Sequence, residues 1–541
     1  MEQHRTHPGP GTAEAATAGA AGSAEAAGTA GTAGTAHEAA PHPRRWAALG
    51  VMLTALFMNL LDVTVVTVAL PAMRSGLGAG YAASQWFLTA YTLAFGAGVV
   101  TGGRLGDRFG RRRLFLLGVA AFTLASAACA LAPDAALMIA ARAAQGGAAA
   151  LMVPQVMATV YAVFPLRERG AASGAFGAVT GFAGVAGPVL GGVCVTYDLA
   201  GLGWRAIFWV NVPLGLATLA AAALVVPDTR AKDPLRMDVT GVVLLTGGLL
   251  CALYPLVQGR DAGWPGWMKG ALVAAPVVLA LYALHARAKD RRDRSALVPL
   301  RLFALPGFGA GAAVLFTVHL VMIGFFVAVS LALQLGLGYS ALRTGLVFLP
   351  WALGGALAAQ LMRYAVPRLG RQVVSLGALV AALGLLWFAT ALGAGGGWPA
   401  MSPGLFLGGV GTVCVIGPSF MFAGTGVAPR DAGAASGSCN AAVQLGGALG
   451  TALLAVLLFA PLASRAEKTA GAGGTGAGAG PGSGSRGAAR LEELVGRVPR
   501  GTRVELFTDA FWSYTVVAVA GLLLVAALAQ ALPKDARPYA R

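Results

Sequence analysis

The sequence predicts an all-α integral membrane protein, and its composition and hydropathy pattern lead to this fold class. Of the 541 residues, 57% are hydrophobic and only 11% are charged, whereas soluble domains carry about 25% charged residues. The mean hydropathy is +0.71. From Trp46 onward, apolar stretches of roughly 17–30 residues recur, each long enough to cross about 30 Å of hydrocarbon as a helix. We therefore expect the chain to lie in a bilayer.

Fourteen such stretches are predicted to span the membrane. Their approximate limits are 46–70, 84–103, 114–133, 135–163, 170–195, 205–226, 239–257, 270–287, 306–336, 344–363, 373–393, 401–427, 432–462 and 510–532. Residues 1–45 are rich in Ala, Gly and Thr without a secretory apolar core, which predicts a disordered tail and no signal peptide. Residues 533–541 form a second tail, and 463–509 a long flexible loop.

The positive charge of the chain indicates membrane topology rather than nucleic-acid binding. The formal net charge is +17, but the cations lie in short clusters between the spans, and no aromatic RNA-binding motif is present. With a cytoplasmic N-terminus, most clusters fall on the cytoplasmic side. We therefore expect both termini in the cytoplasm. The predicted outer loop 463–509 departs from this rule, because it carries several cations.

Two pairs of similar sequence segments predict that the chain consists of duplicated halves. The first pairs Gly170–Gly174 with Gly433–Gly437, both reading GAASG, and at the same spacing pairs Gly184 with Gly447 and Gly187 with Gly450. The second pairs Arg108–Arg111 with Arg368–Arg371. Parallel repeats of this kind are a transporter architecture. We expect six-helix bundles at 46–226 and 301–532, with spans 7 and 8 inserted in the linker 227–300.

Ionisable side chains inside the spans are candidates for function, because a charge in hydrocarbon costs several kcal/mol. At 1.5 Å per residue, Asp62 in span 1 and Arg142 in span 4 lie about 12 Å and about 11 Å from the outer ends of their spans. The two opposite charges therefore share a level. A guanidinium that approaches or leaves a carboxyl changes its proton affinity, which makes the pair a candidate for proton coupling. A static buried ion pair is the structural alternative.

Further polar residues in the spans are candidates for lining a substrate cavity. They are Gln145, Gln155, His319, Gln334, Asn440 and Gln444. For His319, a hydrogen bond to a neighbouring helix explains the residue equally well. The five cysteines lie in apolar runs without CxxC spacing, so we expect no metal site and no disulfide framework. The absence of an HExxH motif argues against a membrane-embedded zinc enzyme, and no cofactor is expected.

Two other segments carry distinctive patterns. In the loop after span 2, Asp107 lies among arginines and turn glycines. An acid in this position could connect neighbouring helices as a latch. The alternative is that the loop is only a cluster of cations that anchors the chain on the cytoplasmic side. Its key residues are Gly103, Asp107, Arg108, Gly110, Arg111 and Arg112. Span 5 combines glycines that permit close helix contact with a proline that invites a kink. These residues are Gly181, Gly184, Gly187, Pro188, Gly191 and Gly192.

Together these segments resemble the major facilitator superfamily, specifically its fourteen-span drug:proton antiporter branch, over nearly all of 46–532. Leu61–Pro71 resembles the first-span motif of that branch, although Thr67 stands where Asn is usual. Gly103–Arg113 resembles the inter-span signature, Arg142–Gly147 the fourth-span motif, Gly181–Gly192 the antiporter motif of span 5, and Trp204–Pro213 a further segment of the branch.

The resemblance implies a major-facilitator-type fold of two six-helix bundles plus two inserted helices. It implies a proton-coupled exporter of amphiphilic or cationic organic compounds, such as drugs or antibiotics, that works by alternating access. Asp62 would carry the proton, Arg142 would be its partner, and Asp107 with Arg108 and Arg111 would form the gating latch. Pro367 occupies the place of Asp107 in the second half, so we expect no matching latch there.

The expected partners are protons, a small organic substrate and the lipid bilayer, with the chain a monomer in a bacterial plasma or inner membrane. A single buried carboxylate favours neutral or monocationic substrates. Export of an endogenous metabolite, and a proton-independent facilitator or importer of the same fold, are the alternatives. A membrane-embedded enzyme or a sensor is a more remote alternative.

Overall fold

The computed structural model describes residues 42–534, except for 80, 199–200, 230–237, 260–261, 294, 455–456, 459–461 and 463–499. Nearly all of the two predicted tails and most of the predicted loop 463–509 therefore lie outside the described residues.

The described part of the chain is helical, with fourteen long helices. They are α1 Arg45–Gly76, α2 Tyr81–Phe109, α3 Arg111–Leu131, α4 Ala135–Val163, α5 Leu166–Thr196, α6 Asn211–Val225, α7 Val239–Gln258, α8 Gly266–Arg292, α9 Pro306–Leu331, α10 Leu349–Leu369, α11 Gln372–Gly393, α12 Trp398–Ala423, α13 Ala432–Leu454 and α14 Arg500–Leu528. Helical turns over Gly203–Trp209 lead into α6, and a short helix, Ala341–Val347, leads into α10.

By length and hydropathy, the described residues contain 12 candidate membrane spans, two fewer than the sequence predicts. The stretch 84–103 lies within α2, and residues 432–454 of the stretch 432–462 form α13, but neither helix belongs to this set. Both helices are glycine-rich and pack against each other. A helix that buries one face against protein needs less apolar surface than a lipid-facing helix, which explains their lower hydropathy.

Two helix boundaries differ clearly from the prediction. Helix α1 continues past the predicted end at residue 70 to Gly76. Helix α14 begins at Arg500, so the last ten residues of the predicted loop 463–509 are helical. Phe507 within this added stretch is buried. Backbone hydrogen bonds extend a helix beyond the apolar window from which a span is predicted, so hydropathy underestimates helix length.

The helices pack in two groups with the same internal arrangement. In the first group α1 packs against α5, α2 against α4, and α3 against α6. In the second group α9 packs against α13, α10 against α12, and α11 against α14. Each contact of the first group thus has a counterpart eight helices later. This repeated packing agrees with the pairs of similar segments in the sequence.

The two groups meet through helix pairs that the repeat also relates. Helix α13 packs against α2, and α5 packs against α10. A Cβ at Gly433 would overlap the carbonyl oxygen of Gly103, and a Cβ at Gly170 would lie 3.3 Å from Val366. Gly170 and Gly433 are the first residues of the two GAASG segments, so both segments lie where the groups touch.

Helices α7 and α8, predicted as an insertion, pack against each other, and α7 also contacts both α2 and α13. The Gln258 amide donates to the Thr89 hydroxyl at 2.9 Å, and the Thr246 hydroxyl donates to the Ala97 carbonyl at 3.3 Å. Leu253 packs against Gly96. Helix α7 therefore lies against both α2 and α13, beside the contact between the two groups, and α8 packs against α7.

Candidate functional site

Asp62 and Arg142 form an ion pair between α1 and α4. Both side chains are fully buried, at 0% exposure. Arg142 Nη1 donates to Asp62 Oδ2, and Arg142 Nε donates to the Phe87 carbonyl at 2.7 Å. The guanidinium carbon also lies 4.4 Å from the centre of the Tyr91 ring, a cation–π distance. The structure thus brings together the two charges that the sequence places at one level.

Gln145 completes this ion pair instead of lining a cavity, which corrects the prediction for that residue. Its Nε2 donates to Asp62 Oδ1 at 2.9 Å and to Ser126 Oγ at 2.8 Å, while its Oε1 accepts from Arg142 Nη1 at 2.7 Å. Gln145 is fully buried. Residues three apart on a helix share a face, so the spacing from Arg142 could have revealed this role.

Asn211 also binds the carboxylate, although it is not among the site residues predicted from the sequence. Its Nδ2 donates to Asp62 Oδ1 at 3.2 Å, and the side chain is fully buried at the start of α6. The segment Trp204–Pro213 marked this residue only as part of a family resemblance. A contact between α6 and α1 depends on tertiary packing, so no local pattern points to it.

The glycines of α5 differ in how closely they approach neighbouring helices. A Cβ at Gly187 would overlap Thr64 Oγ1, and one at Gly191 would lie 3.1 Å from the Val65 carbonyl, both on α1 next to Asp62. At Gly181 the nearest atom would be 3.9 Å away, and at Gly184 no atom lies within 4 Å. Gly192 is buried. Helix α5 continues through Pro188 without interruption, so the proline does not break the helix.

Asp107 joins the two helix groups by capping α13. Its Oδ1 accepts from the Gly433 N–H at 2.9 Å, and its Oδ2 accepts from the Ala434 N–H at 3.1 Å. Arg111 Nη2 donates to the same carboxylate at 2.9 Å. A carboxylate at a helix N-terminus is stabilised by the free N–H groups and by the helix dipole. We call this contact of Asp107 with Gly433 and Ala434 the latch.

The other residues of the signature loop hold its shape. Gly110 has φ +99°, a conformation that favours glycine, and separates α2 from α3. Arg112 donates to the Ala223 carbonyl at the end of α6, and the Arg108 guanidinium lies 5.2 Å from the Phe109 ring. A Cβ at Gly103 would overlap the Gly433 carbonyl. Of the predicted residues of this loop, Gly103, Asp107 and Arg111 thus contact the latch, and the others make contacts within the loop or with α6.

Asp431, just before α13, forms a second connection beside the latch. It accepts from Arg104 Nη1 at 3.3 Å and from Arg301 Nη2 at 2.9 Å, and only 2% of its surface is exposed. Arg104 Nη2 also donates to the Ala296 carbonyl at 3.0 Å, and Arg301 Nη1 to Asp290 Oδ1 at 3.0 Å. From the sequence alone, these arginines indicate only membrane topology.

The segment after α8 ties the inserted helices to this network. Asp238 caps α7 by accepting from the Gly241 N–H at 2.9 Å, and it also accepts from the Leu297 N–H at 3.2 Å. His285 Nε2 lies 2.7 Å from Asp238 Oδ1. At the end of α8, the Ser295 hydroxyl and the Lys289 ammonium hold the pKa of Asp293 well below its ordinary value. The inserted helices are thus linked to Arg104 through residues 295–298.

Among the residues that the structure describes, the second half carries no equivalent of the latch. Pro367 offers no side-chain acceptor, and Gly170 on α5 faces the apolar Val366 instead. Arg371, the counterpart of Arg111, donates to the backbone carbonyl of Leu532 at 3.1 Å. Of the two related contacts between the groups, only the one made by α2 and α13 includes this carboxylate cap.

The hydrogen bonds of the remaining predicted cavity residues are mostly local. His319 and Asn440 bond to Leu315 and Ser436 of their own helices, and Gln334, in the helical turn Ala332–Gly336 after α9, donates to Ser330. Gln155 is fully buried and donates to the Gly102 carbonyl at 2.9 Å, and Gln444 is half-buried near Gly96. An apolar cavity of about 320 Å³ lies between α2, α4 and α7, and none of the six predicted residues lines it. The described residues contain no metal-binding cluster.

The comparisons with known proteins agree with this fold. The family model of the Major Facilitator Superfamily matches residues 52–451. The probable actinorhodin transporter of Streptomyces coelicolor is 40% identical, covering 79% of this chain and 74% of the relative. The tetracenomycin C resistance and export protein of Streptomyces glaucescens is 33% identical, with coverage of 77% and 76%. The solved proton:xylose symporter XylE aligns with TM-score 0.57 at 14% identity, over 89% of this chain and 94% of that structure.

The chain therefore belongs to the major facilitator superfamily, which confirms the family expected from the sequence. It is a membrane protein with the all-helical fold of that family, and its class is a transporter and not an enzyme.

Proposed function

We propose that the chain is a proton-coupled efflux transporter that exports amphiphilic or cationic organic compounds by alternating access. The observation that carries this proposal is the fully buried Asp62–Arg142 ion pair inside two membrane helices. Buried charges in membrane proteins are costly and usually belong to ion or proton pathways. Relatives whose names describe antibiotic transport and export support the direction of transport.

The proposed coupling follows from the energetics of the ion pair. Separating Arg142 from an ionised Asp62 would leave an uncompensated buried charge, which costs about 3–5 kcal/mol. A proton that neutralises Asp62 removes the Coulomb attraction and lets the two helices separate. Asp62 would thus take up a proton from the outside while substrate leaves, and release it to the cytoplasm when Arg142 returns. One carboxylate exchanges few charges, so we favour neutral or monocationic substrates.

The proposed topology has fourteen spans. Helices α2 and α13 contain 29 and 23 residues, enough to cross about 30 Å of hydrocarbon at 1.5 Å per residue, so we count them with the 12 apolar spans. The bundles would be 46–226 and 301–532, with α7 and α8 inserted between them. Both termini would be cytoplasmic, and the protein a monomer in a bacterial plasma membrane.

Dye uptake into inverted vesicles tests the proposal. The panel contains neutral Nile red, monocationic ethidium and dicationic propidium, each measured with and without a proton gradient. We expect gradient-driven uptake of at least one of the first two by the native chain and its loss in Asp62→Asn, which keeps the side-chain shape but removes the charge. Gradient-driven uptake that survives in Asp62→Asn would contradict the proposed coupling, and propidium as the best substrate would contradict the charge preference.

A facilitator or importer of the same fold is the second candidate. The latch, Asp107 with Gly433 and Ala434, joins the two helix groups through backbone N–H groups and does not depend on the transported compound, so it does not separate the two functions. Uptake that is insensitive to the gradient in the native chain would favour the facilitator. Export of a compound made by the same cell is a question of substrate and leaves the mechanism unchanged.

A further inference from the structure

The amide of Asn211 is unusual among the polar groups around Asp62. Its Nδ2 donates to Asp62 Oδ1 at 3.2 Å, while its own Oδ1 is buried and has no hydrogen-bond partner among the described residues. A buried polar atom without a partner is costly, on the order of 1–3 kcal/mol, and such atoms call for an explanation. The unpaired acceptor, Asn211 Oδ1, thus belongs to the same amide group that donates to Asp62, the candidate proton carrier.

The surroundings of Asp62 suit an ionised carboxylate and not a protonated one. Its two oxygens accept from Arg142, Gln145 and Asn211, all of them through N–H groups. A protonated carboxyl needs an acceptor for its O–H. Arg142 has none, and Gln145 Oε1 already accepts from Arg142 Nη1. The oxygen of Asn211 is the acceptor that is buried, adjacent and unoccupied.

We propose that Asn211 is a positioning residue that holds the Asp62 carboxyl in both of its protonation states by reversing its side-chain amide. This proposal deepens the proposed function and rests on Asp62 being the proton carrier. With Asp62 ionised, the amide N–H donates to Asp62 Oδ1. When a proton binds Asp62 Oδ1, a half-turn about the Cβ–Cγ bond of Asn211 exchanges the amide atoms, and the new O–H donates to the amide oxygen.

The exchange conserves the number of hydrogen bonds at Asp62 Oδ1. One N–H···O contact is lost and one O–H···O contact is formed, so the reversal requires neither movement of α6 nor displacement of Gln145. One amide atom of Asn211 is unpaired in either orientation, which keeps the two states close in energy. The other titratable or charged groups that face Asp62 are Arg142 on α4, Tyr91 on α2 and Cys129 on α3.

A matched pair of substitutions tests this role. Asn211→Val and Asn211→Thr have nearly the same shape, but only the Thr hydroxyl can both donate and accept a hydrogen bond. We expect gradient-driven dye uptake to fall about tenfold or more in Asn211→Val. Asn211→Thr should retain most of this uptake. Thr218→Val is the control, because it removes a hydroxyl from the same helix that bonds mainly to Leu214, at 2.7 Å.

Two further measurements separate positioning from mere packing. Dye counterflow at equal pH on both sides needs no net proton movement, so it should be retained in Asn211→Val. In infrared difference spectra on acidification, the C=O band of protonated Asp62, absent in Asp62→Asn, should shift in Asn211→Val and stay unchanged in Thr218→Val.

Equal uptake by Asn211→Val and Asn211→Thr, whether both are active or both inactive, would overturn the proposal, since the hydrogen bond would then not decide the outcome. An unshifted infrared band in Asn211→Val would do the same. Asp62→Asn is measured alongside: if it keeps gradient-driven uptake, the proposed function itself fails. If it loses uptake while Asn211→Val does not, only the role of Asn211 fails.

Discussion

At the scale of single residues, the chemistry of this chain is concentrated around one carboxylate. Asp62 receives hydrogen bonds from Arg142 and Gln145 on α4 and from Asn211 on α6, and none of the four side chains is exposed. A group so enclosed exchanges protons only when the surrounding helices move. The close approach of α5 to α1 near Asp62 therefore bears directly on the proposed mechanism.

The glycines of α5 provide a prediction at this scale. A Cβ at Gly187 would overlap Thr64, whereas at Gly184 no atom lies within 4 Å. We expect Gly187→Ala to cost about 1–3 kcal/mol through overpacking against α1 and to reduce dye uptake, while Gly184→Ala stays close to the native chain. Thermal unfolding in detergent and vesicle uptake measure both effects. Equal behaviour of the two variants would show that this glycine is not needed for the approach of α5 to α1.

At the scale of elements, the start of α13 is where both groups of helices and the inserted pair are joined. Asp107 from α2 caps its N-terminus, and Asp431 in front of it binds Arg104 and Arg301. Arg104 in turn reaches the segment that follows α8. The contacts of Arg104 therefore link α7 and α8 to the loop that carries the latch.

Asp431 allows this connection to be tested. Asp431→Ala removes the closer carboxylate partner of the buried Arg104, whose Nη1 lies 3.3 Å from Asp431 Oδ1 and 3.9 Å from Asp107 Oδ2, and losing one member of a buried ion pair costs about 3–5 kcal/mol. Asp290→Ala removes only a half-exposed contact with Arg301, worth about 0–1 kcal/mol. We expect a clearly lower thermal unfolding temperature for Asp431→Ala alone, followed through tryptophan fluorescence. A similar loss in both variants would argue that Asp431 acts only as a surface charge.

At the scale of the whole molecule, the two helix groups repeat one packing plan but are joined unequally. The contact of α13 with α2 carries the Asp107 cap, and the related contact of α5 with α10 does not, because Pro367 stands in the corresponding position. The two groups are thus joined by a polar contact between α2 and α13 and by an apolar contact between α5 and α10, and we expect the proposed alternation to involve breaking the few hydrogen bonds of the first contact.

The proposed orientation gives a prediction at this scale. Single cysteines are introduced as Ala231→Cys, between α6 and α7, and Ser483→Cys, between α13 and α14, with the five native cysteines replaced. An impermeant maleimide added to intact cells should label Ser483→Cys and leave Ala231→Cys unlabelled until the membrane is opened, because the positive-inside rule places the first loop in the cytoplasm. The reverse pattern would invert the topology, and with it the proposed direction of export.

The sequence alone predicted much of the candidate site, for identifiable reasons. Asp62 and Arg142 stand out because charges are rare in apolar spans, and their depth follows from helix rise. The role of Gln145 and the contribution of Asn211 were missed, although both residues lie within the segments that resemble the family. A polar residue in a span has several possible neighbours, and only the packing of α3, α4 and α6 against α1 selects one.

The sequence by itself determined that the chain lies in a lipid bilayer, that it is helical, that it contains a repeat and which family it belongs to. Each of these follows from composition, from apolar runs or from motifs along the chain. The tertiary structure alone decided which atoms surround Asp62, which glycines touch and where α13 is capped. These depend on contacts between helices far apart in sequence, and their geometry is set by close packing and the pairing of buried polar groups.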